Sequence, residues 1–440
     1  MKKKIYPILA ALAALTVFAF AETQSDGDMK MRLKASRDGS LYKMGEPAEF
    51  VLEISNGGKP QGGIRFWSSV SKDGAIPVVS SHGITDKDGR AVIKAGALNE
   101  PGVLRCAVGV YNPETKKETQ LLAGAGFELE KIRPGLPVPE DFAEYWKAQK
   151  RMLSEIPMNA EMKEVPCDNK NVELFDIKAD TFKGFLTGYY ARPKGAKPKS
   201  CPAILFPHGA GVRSSGKGGP IGWAAQGYIA LDYNAHGIPN GKPKEFYDEL
   251  AKKDLKDYRY AGADNRDNSF FRVLYLRTMR ALEFLMKQPE WDGKILVVNG
   301  TSQGGGQALA AGGLCDKVTF VAAFVPAMCD HNGIAAGRVC GWPNLLRADK
   351  YGAYDKSVYE ASRYFDAANF ASMIKADAFV TTGLRDNVCP PSSVSAAYSN
   401  IKTPKSLRIV EEGSHVVPRE VYDEGAEKIR EHVKKMRSKN

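Results

Sequence analysis

Apolar and polar positions divide the chain into three regimes. The first is an apolar run, residues 5–20, preceded by Lys2, Lys3 and Lys4 and followed at once by Glu22, Thr23 and Gln24. Ala19-Phe20-Ala21 supplies the small-x-small pattern that signal peptidase cleaves, and the run is short for a membrane span. The expectation is a signal peptide over residues 1–21 and an exported mature chain, periplasmic or extracellular, with no stable membrane anchor. A retained N-terminal anchor is the alternative.

The second regime covers residues 25–131. Short β-branched and aromatic segments at 48–54, 64–70, 91–94, 103–111 and 126–130 alternate with turn signals: NGGKPQGG at 56–63, SKDG at 71–74, TDKDG at 85–89 and NEPG at 99–102. Strands at such spacing predict an all-β sandwich. The stretch ITDKDGRAVI resembles the strand-turn-strand of bacterial immunoglobulin-like domains. Phe66 and Trp67 lie in one apolar strand, so both are expected in the sandwich core, with a polysaccharide-stacking platform as the alternative.

Pro134, Pro137 and Pro139 then mark a stiff linker over 132–140, since proline cannot join a β ladder. The third regime, 141–440, opens with an amphipathic helix over 141–153. From residue 203 it repeats a cycle of apolar strand, glycine-rich turn and longer helical run. PAILFPHG, YIALDYN, KILVVNG, TFVAAFVP, DAFVTTG and KSLRIVEEG read as buried strands, with a helix over 273–287 among the connections. This alternation predicts an α/β domain whose mostly parallel sheet has helices on both faces.

Composition narrows the function more than the fold. With 43% hydrophobic and 26% charged residues the chain can bury a large core. The net charge of +11 comes from scattered lysines, without an arginine-rich arm or zinc-finger spacing, so nucleic acid is not an expected partner. The seven cysteines match no CxxC metal or redox motif; Cys329 and Cys340 could pair only if the loop between them folds back. No metal or other cofactor is called for.

The chemistry lies where strand 294–300 runs into Gly300-Thr301-Ser302-Gln303-Gly304 and a helix rich in small residues. G-x-S-x-G in a strand-to-helix turn forces the serine into a strained backbone and lifts its hydroxyl above the sheet. Ser302 is therefore the candidate nucleophile. It needs a base, and this fold places the acid and then the histidine in loops after late strands. Of six histidines, His415 in EEGSHVVP follows the last strand. His331 comes too early, and His432, on a lysine-rich terminal helix, is expected to be solvated. Asp386, after the preceding strand, is the candidate acid, with Glu411 and Glu412 as minor alternatives. Oxyanion donors are expected from the N–H groups of Gln303 and Ala210, with His208 holding the latter's loop.

These residues resemble carbohydrate esterase family 7, the acetyl xylan esterases and cephalosporin C deacetylases, from about residue 133 to the C-terminus. The resemblance rests on VPEDFAEYW, PHGAG, FFRVLYLRTMRALEFL, GTSQGGGQALAAGGL, FVPAMCD, GLRDNVCPP and GSH at 413–415, in that order. It implies an α/β-hydrolase fold and removal of acetyl groups from xylan, xylo-oligosaccharides or other small acetate esters. The family's roles then fall on Ser302, Asp386, His415, Ala210 and Gln303. Two positions depart from its pattern: Asn234-Ala235-His236 replaces Arg-Gly-Gln, and Val416 replaces a glutamate. A homo-oligomer is possible on this reading. Two rival functions are a serine peptidase of the same fold and a non-catalytic carbohydrate-binding protein with a vestigial hydrolase domain. The segment 239–271, rich in tyrosine and phenylalanine, is expected to border the active site or to make a subunit contact.

Overall fold

A computed structural model describes residues 24–75, 77–349 and 352–438; the expected signal peptide lies outside the described residues. The chain first builds two sheets that share one core. One is centred on strands Met29–Ala35, Ala48–Asn56 and Arg90–Gly96. The other runs in the order Leu41–Tyr42, Lys117–Phe127, Gly102–Asn112, Arg65–Lys72, Pro77–Ile84. Period-two patterning explains the arrangement. Met29, Met31, Leu33 and Ala35 point inward, while Lys30, Arg32 and Lys34 face out. Phe50, Leu52, Val108 and Phe127 complete the core between the sheets.

Two expectations for this unit need correction. Phe66 enters the core, but its neighbour Trp67 points to the other face, because successive side chains of a strand alternate. Its indole lies on Gly109, where a Cβ would come within 2.1 Å of the ring nitrogen. The strand expected at 126–130 instead spans Lys117–Phe127, and Leu129–Lys131 is a single 3₁₀ turn.

The second unit is a nine-stranded sheet. Cys201–Pro207, Ile229–Tyr233, Trp291–Thr301, Phe320–Phe324, Asp377–Gly383 and Lys405–Val410 are its six parallel strands, as the apolar runs predicted. Three further strands, Glu161–Val165, Val172–Thr181 and Gly184–Pro193, extend it antiparallel at one edge. The strand order places Cys201–Pro207 between Ile229–Tyr233 and Trp291–Thr301. Helices Phe142–Ser154, Phe270–Met286 and Gln303–Leu314 pack on one face with the largest core, which includes Trp146, Tyr275 and Phe370. Ser269 caps the middle helix by accepting from the Phe271 N–H, so it starts a turn earlier than its apolar pattern suggested. On the opposite face Gly218–Ala224 and Arg419–Ser438 bring Trp223, Val421, Ile429 and Val433 onto Ile204, Val297 and Phe324.

His432 belongs to that second layer. It is 6% exposed and packs on Phe320, so it is not solvated: the amphipathic helix turns it toward the sheet. All seven cysteines are free thiols. The proline-rich stretch is laid along the α/β unit, where the Gly135 N–H donates to Asp330 Oδ1 at 2.7 Å. A small apolar seam of Val103, Leu129, Ile132, Leu384 and Ala396 joins the two units. Among the described residues no helix is long and apolar enough to cross a membrane.

Candidate active site

Strand Trp291–Thr301 ends directly at Ser302, whose backbone sits at φ 59°, ψ −123°. That conformation is costly for a residue with a Cβ and persists only where its surroundings enforce it. Here they do. The Ser302 N–H donates to the Phe324 carbonyl at 2.9 Å, and its carbonyl accepts from Ala327 at 2.9 Å and Gly306 at 3.0 Å. The flanking glycines are required by close approach. A Cβ on Gly300 would lie 2.1 Å from the Gly304 carbonyl oxygen, and one on Gly304 would lie 2.3 Å from that of Pro207. The turn therefore projects the serine hydroxyl above the ends of the parallel strands, beside the N-terminus of helix Gln303–Leu314.

Two loops from later strands reach it. His415 Nε2 lies 2.9 Å from Ser302 Oγ, and His415 Nδ1 lies 2.9 Å from Asp386 Oδ2. Asp386 is fully buried, and its other oxygen accepts the N–H groups of Val388 and Cys389, both at 2.8 Å. The carboxylate is thus held on one side by backbone and on the other by the imidazole. Glu411 and Glu412 are engaged elsewhere: Glu411 accepts from Ser40 and Gly39, and Glu412 pairs with Arg385 and Arg32.

Asp386, Cys389 and His415 bring three donor atoms within 4.8 Å of one another, which by residue type could hold a metal ion. The bonding does not suit that role. The histidine uses Nδ1 on the carboxylate and Nε2 on the serine, and burial together with the Asp386 charge keeps the Cys389 thiol well above its ordinary pKa.

The loop after strand Cys201–Pro207 carries Ala210 into the same cleft, an open space of about 890 Å³ lined also by Ser302, His415, Arg213, Tyr258 and Trp342. Gln303 is the first residue of its helix, so its N–H has no partner within the helix. The Gln303 side chain donates to the carbonyls of His208 (3.1 Å) and Gly209 (3.4 Å), and Gln307 adds a bond to His208 at 2.8 Å. His208 is 5% exposed, sits 3.2 Å from the Ser214 carbonyl, and is pushed down to about pKa 3 by burial. It is a neutral brace of the loop.

The departure at 234–236 serves this same loop. Asn234 donates to the Arg213 carbonyl at 2.7 Å, and the His236 ring meets the Gly211 carbonyl at 3.2 Å. The Gly211 N–H in turn donates to the Tyr258 hydroxyl at 3.1 Å, with the His236 and Tyr258 rings edge-on at 4.5 Å. Segment 239–271 therefore borders the cleft, through Ala251, Leu255, Asp257, Tyr258 and Arg259. Composition signalled its aromatic content, but not that Tyr258 would hold the loop. Asp232, beneath Arg213, is pushed up to about pKa 7 by burial. It lines the cleft and was not anticipated, since an aspartate inside an apolar strand gives no pattern of its own.

Comparison with known proteins identifies the family. Residues 123–429 match the acetyl xylan esterase (AXE1) family. Over 428 residues, 94% of this chain and 93% of the relative, the sequence is 30% identical to acetyl esterase Axe7A of Xylanibacter ruminicola. Two solved structures are similar, each covering 69% of this chain and 98% of its own, with a TM-score of 0.58. They are the acetyl xylan esterase from Paenibacillus sp. R4, 25% identical, and acetyl xylan esterase 1 from Thermoanaerobacterium sp. JW/SL YS485, 26% identical. The α/β unit is thus a carboxylic ester hydrolase domain preceded by a β-rich region, and the chain belongs to the acetyl xylan esterase family.

Proposed function

We propose that this protein is an exported serine esterase that removes acetyl groups from xylan, xylo-oligosaccharides or related acetylated carbohydrates through an acyl-enzyme on Ser302. The observation that carries the reading is the continuous chain Ser302–His415–Asp386, with both hydrogen bonds at 2.9 Å, opening into the cleft.

Ser302 Oγ attacks the acetyl carbonyl as His415 Nε2 takes its proton. Asp386 holds the ring in the tautomer that leaves Nε2 free and stabilises the imidazolium. The N–H groups of Ala210 and Gln303 receive the developing oxyanion, each contributing about 3 kcal/mol to the transition state. His415 then returns the proton to the departing sugar oxygen. Water repeats the sequence in reverse and releases acetate. No step needs a cofactor.

Around this centre the proposed layout is a signal peptide at 1–21, an immunoglobulin-like sandwich at 25–131, a linker at 132–140 and the hydrolase domain at 141–440. The two facing sheets support the sandwich assignment, and the short apolar leader supports export to the periplasm or medium.

The test is acetate release from acetylated xylo-oligosaccharides and from a small chromogenic acetate by wild-type protein and Ser302→Ala. Release abolished by the substitution supports the reading. Folded wild-type protein inactive on both esters would overturn it, and peptide cleavage in its place would favour the peptidase.

A further inference from the structure

The serine, base and acid all belong to the α/β unit, yet the β unit touches the loops that carry two of them. Arg105, on the outer face of strand Gly102–Asn112, donates from Nη2 to the main-chain carbonyl of Asp386 at 2.7 Å. The acid is thereby gripped at both ends, its carboxylate by the Val388 and Cys389 N–H groups and its carbonyl by a guanidinium from the other unit. Asp73, 1% exposed in the turn after strand Arg65–Lys72, accepts the hydroxyl of Ser392 in the first turn of helix Pro391–Asn400. The Arg105 and Asp73 charges favour one another.

The base's loop is held in the same way. Glu411 accepts from the Ser40 hydroxyl at 2.6 Å and the Gly39 N–H at 3.1 Å. Arg385, 3% exposed, donates to the Leu33 carbonyl at 2.8 Å and pairs with Glu412. Backbone meets backbone at Gly124, where a Cβ would lie 2.4 Å from the Leu384 carbonyl oxygen. Residues 384–386 and 411–412 thus contact the β unit on the sequence positions leading into Asp386 and His415.

We propose that the β unit is part of the catalytic apparatus, with Arg105 the positioning residue that sets the Asp386 loop. This rests on the triad reading above. The physical reason is tolerance. A triad acid must be held within a fraction of an ångström, and a loop fixes a side chain only as well as its backbone is fixed. Exposed ion pairs between domains would contribute little and would not locate a backbone. A shielded guanidinium bonded to the acid's own carbonyl does locate it.

The test uses the full chain in four variants: Ser302→Ala, Arg105→Met, Arg105→Lys and Gly124→Ala. The measurements are kcat and KM on a chromogenic acetate, the thermal midpoint, and the far-downfield proton resonance of the His415–Asp386 hydrogen bond. Arg105→Met is expected to lower kcat by about 10- to 100-fold through misplacement of the acid. KM should stay within about twofold, because the substrate cleft is untouched. The downfield resonance should shift or broaden. Arg105→Lys, which keeps the charge and a donor, should recover part of kcat. Gly124→Ala, which pushes on Leu384, should lower kcat in the same way.

Folded Arg105→Met with wild-type kcat and an unchanged resonance would overturn the proposal and leave Arg105 as an interdomain tie. Should Arg105→Met not fold, Gly124→Ala decides: wild-type kcat and resonance in that variant overturn it, and loss of both supports it. Activity lost in Ser302→Ala but intact in Arg105→Met would sink this inference alone. Full activity in Ser302→Ala would sink the triad reading beneath it.

Discussion

The two units bury different things. In the β unit the interior is apolar, and among the described residues Asp73 is its only buried charged side chain, placed against Ser392 of the other unit. The α/β unit buries Arg277, Arg280, Asp330, His331, Asp366, Arg385 and Asp386. Nearly all of these serve backbone that has no regular partner. Asp366 accepts the N–H groups of Asp330, His331 and Ala368, Arg277 donates to the carbonyls of Phe185 and Ala235, and Arg280 donates to those of Leu153 and Ile156.

The difference follows from what each unit's loops do. A two-sheet unit satisfies its backbone within its ladders and can end them in solvent-exposed turns. The α/β unit must hold irregular segments inside, at the strand ends where the site is built. Val325, Met328 and Asp330, just after strand Phe320–Phe324, all have positive φ, and Ala327 in that segment grips the Ser302 carbonyl. Such strain persists only when polar side chains pin it.

The strongest way to sharpen this contrast is Asp386→Asn. It keeps the shape of the acid but favours the wrong imidazole tautomer, so kcat should fall by about 10⁴-fold while the thermal midpoint changes little. A loss of less than tenfold in steady-state assays would deny Asp386 its role. Next comes Phe50→Ala in the core of the β unit, expected to cost about 3–5 kcal/mol of that unit's stability in urea unfolding. The same protein, assayed while still folded, should keep its esterase kcat. Wild-type unfolding midpoints in this variant would contradict the core assignment.

Acid should separate the units in turn. His331 is buried and pushed down to about pKa 4 by desolvation, so the folded state leaves it neutral. Above pH 6.5 it is neutral folded or unfolded and contributes nothing to the pH dependence. As the pH falls from 6.5 to about 4, the unfolded chain takes up a proton that the folded one refuses, and stability is lost. The stability advantage of wild type over His331→Asn should therefore shrink by about 2–3 kcal/mol between pH 7.5 and 4.5. A gap constant across that range in urea titrations would refute it. The smallest effect belongs to Tyr258→Phe, which deprives the Gly211 N–H of its acceptor beside Ala210. A loss of about 1 kcal/mol, near five- to tenfold in kcat at constant KM, is expected. An unchanged kcat would mean that the loop holds its shape through Asn234 and His236 alone.

Legibility in the sequence followed the same divide. The five inner parallel strands are readable because a strand buried on both faces is a continuous apolar run, and the edge strand Lys405–Val410, only half-buried, because Leu407, Ile409 and Val410 still mark it. The three antiparallel edge strands do not stand out in the sequence, although Val172, Leu174, Ile177 and Ala179 carry the buried side of one of them. Their alternation is interrupted by Phe175 and Asp176, both half-buried, so period two does not stand out. Lys117–Phe127 was hidden differently. Its second half is Ala123-Gly124-Ala125-Gly126, residues with weak strand preference, chosen where Leu384 and Leu129 press against the backbone. The burial of His432 is hidden because the charge of a lysine-rich helix does not tell which face it turns inward.

What the sequence determined by itself is local: the apolar runs that become central strands, and the Gly-x-Ser-x-Gly turn whose glycines make room for a strained serine. Chain order then points to Asp386 and His415, since each follows a late strand in its own loop. Only the tertiary structure decided what those loops lean on. The contacts of Arg105 with Asp386, Ser40 with Glu411 and Tyr258 with Gly211 join residues 281, 371 and 47 positions apart. Such pairs have no periodicity or spacing to announce them. They exist because burying irregular backbone requires a polar partner, and the partner can come from any segment the fold happens to bring within reach.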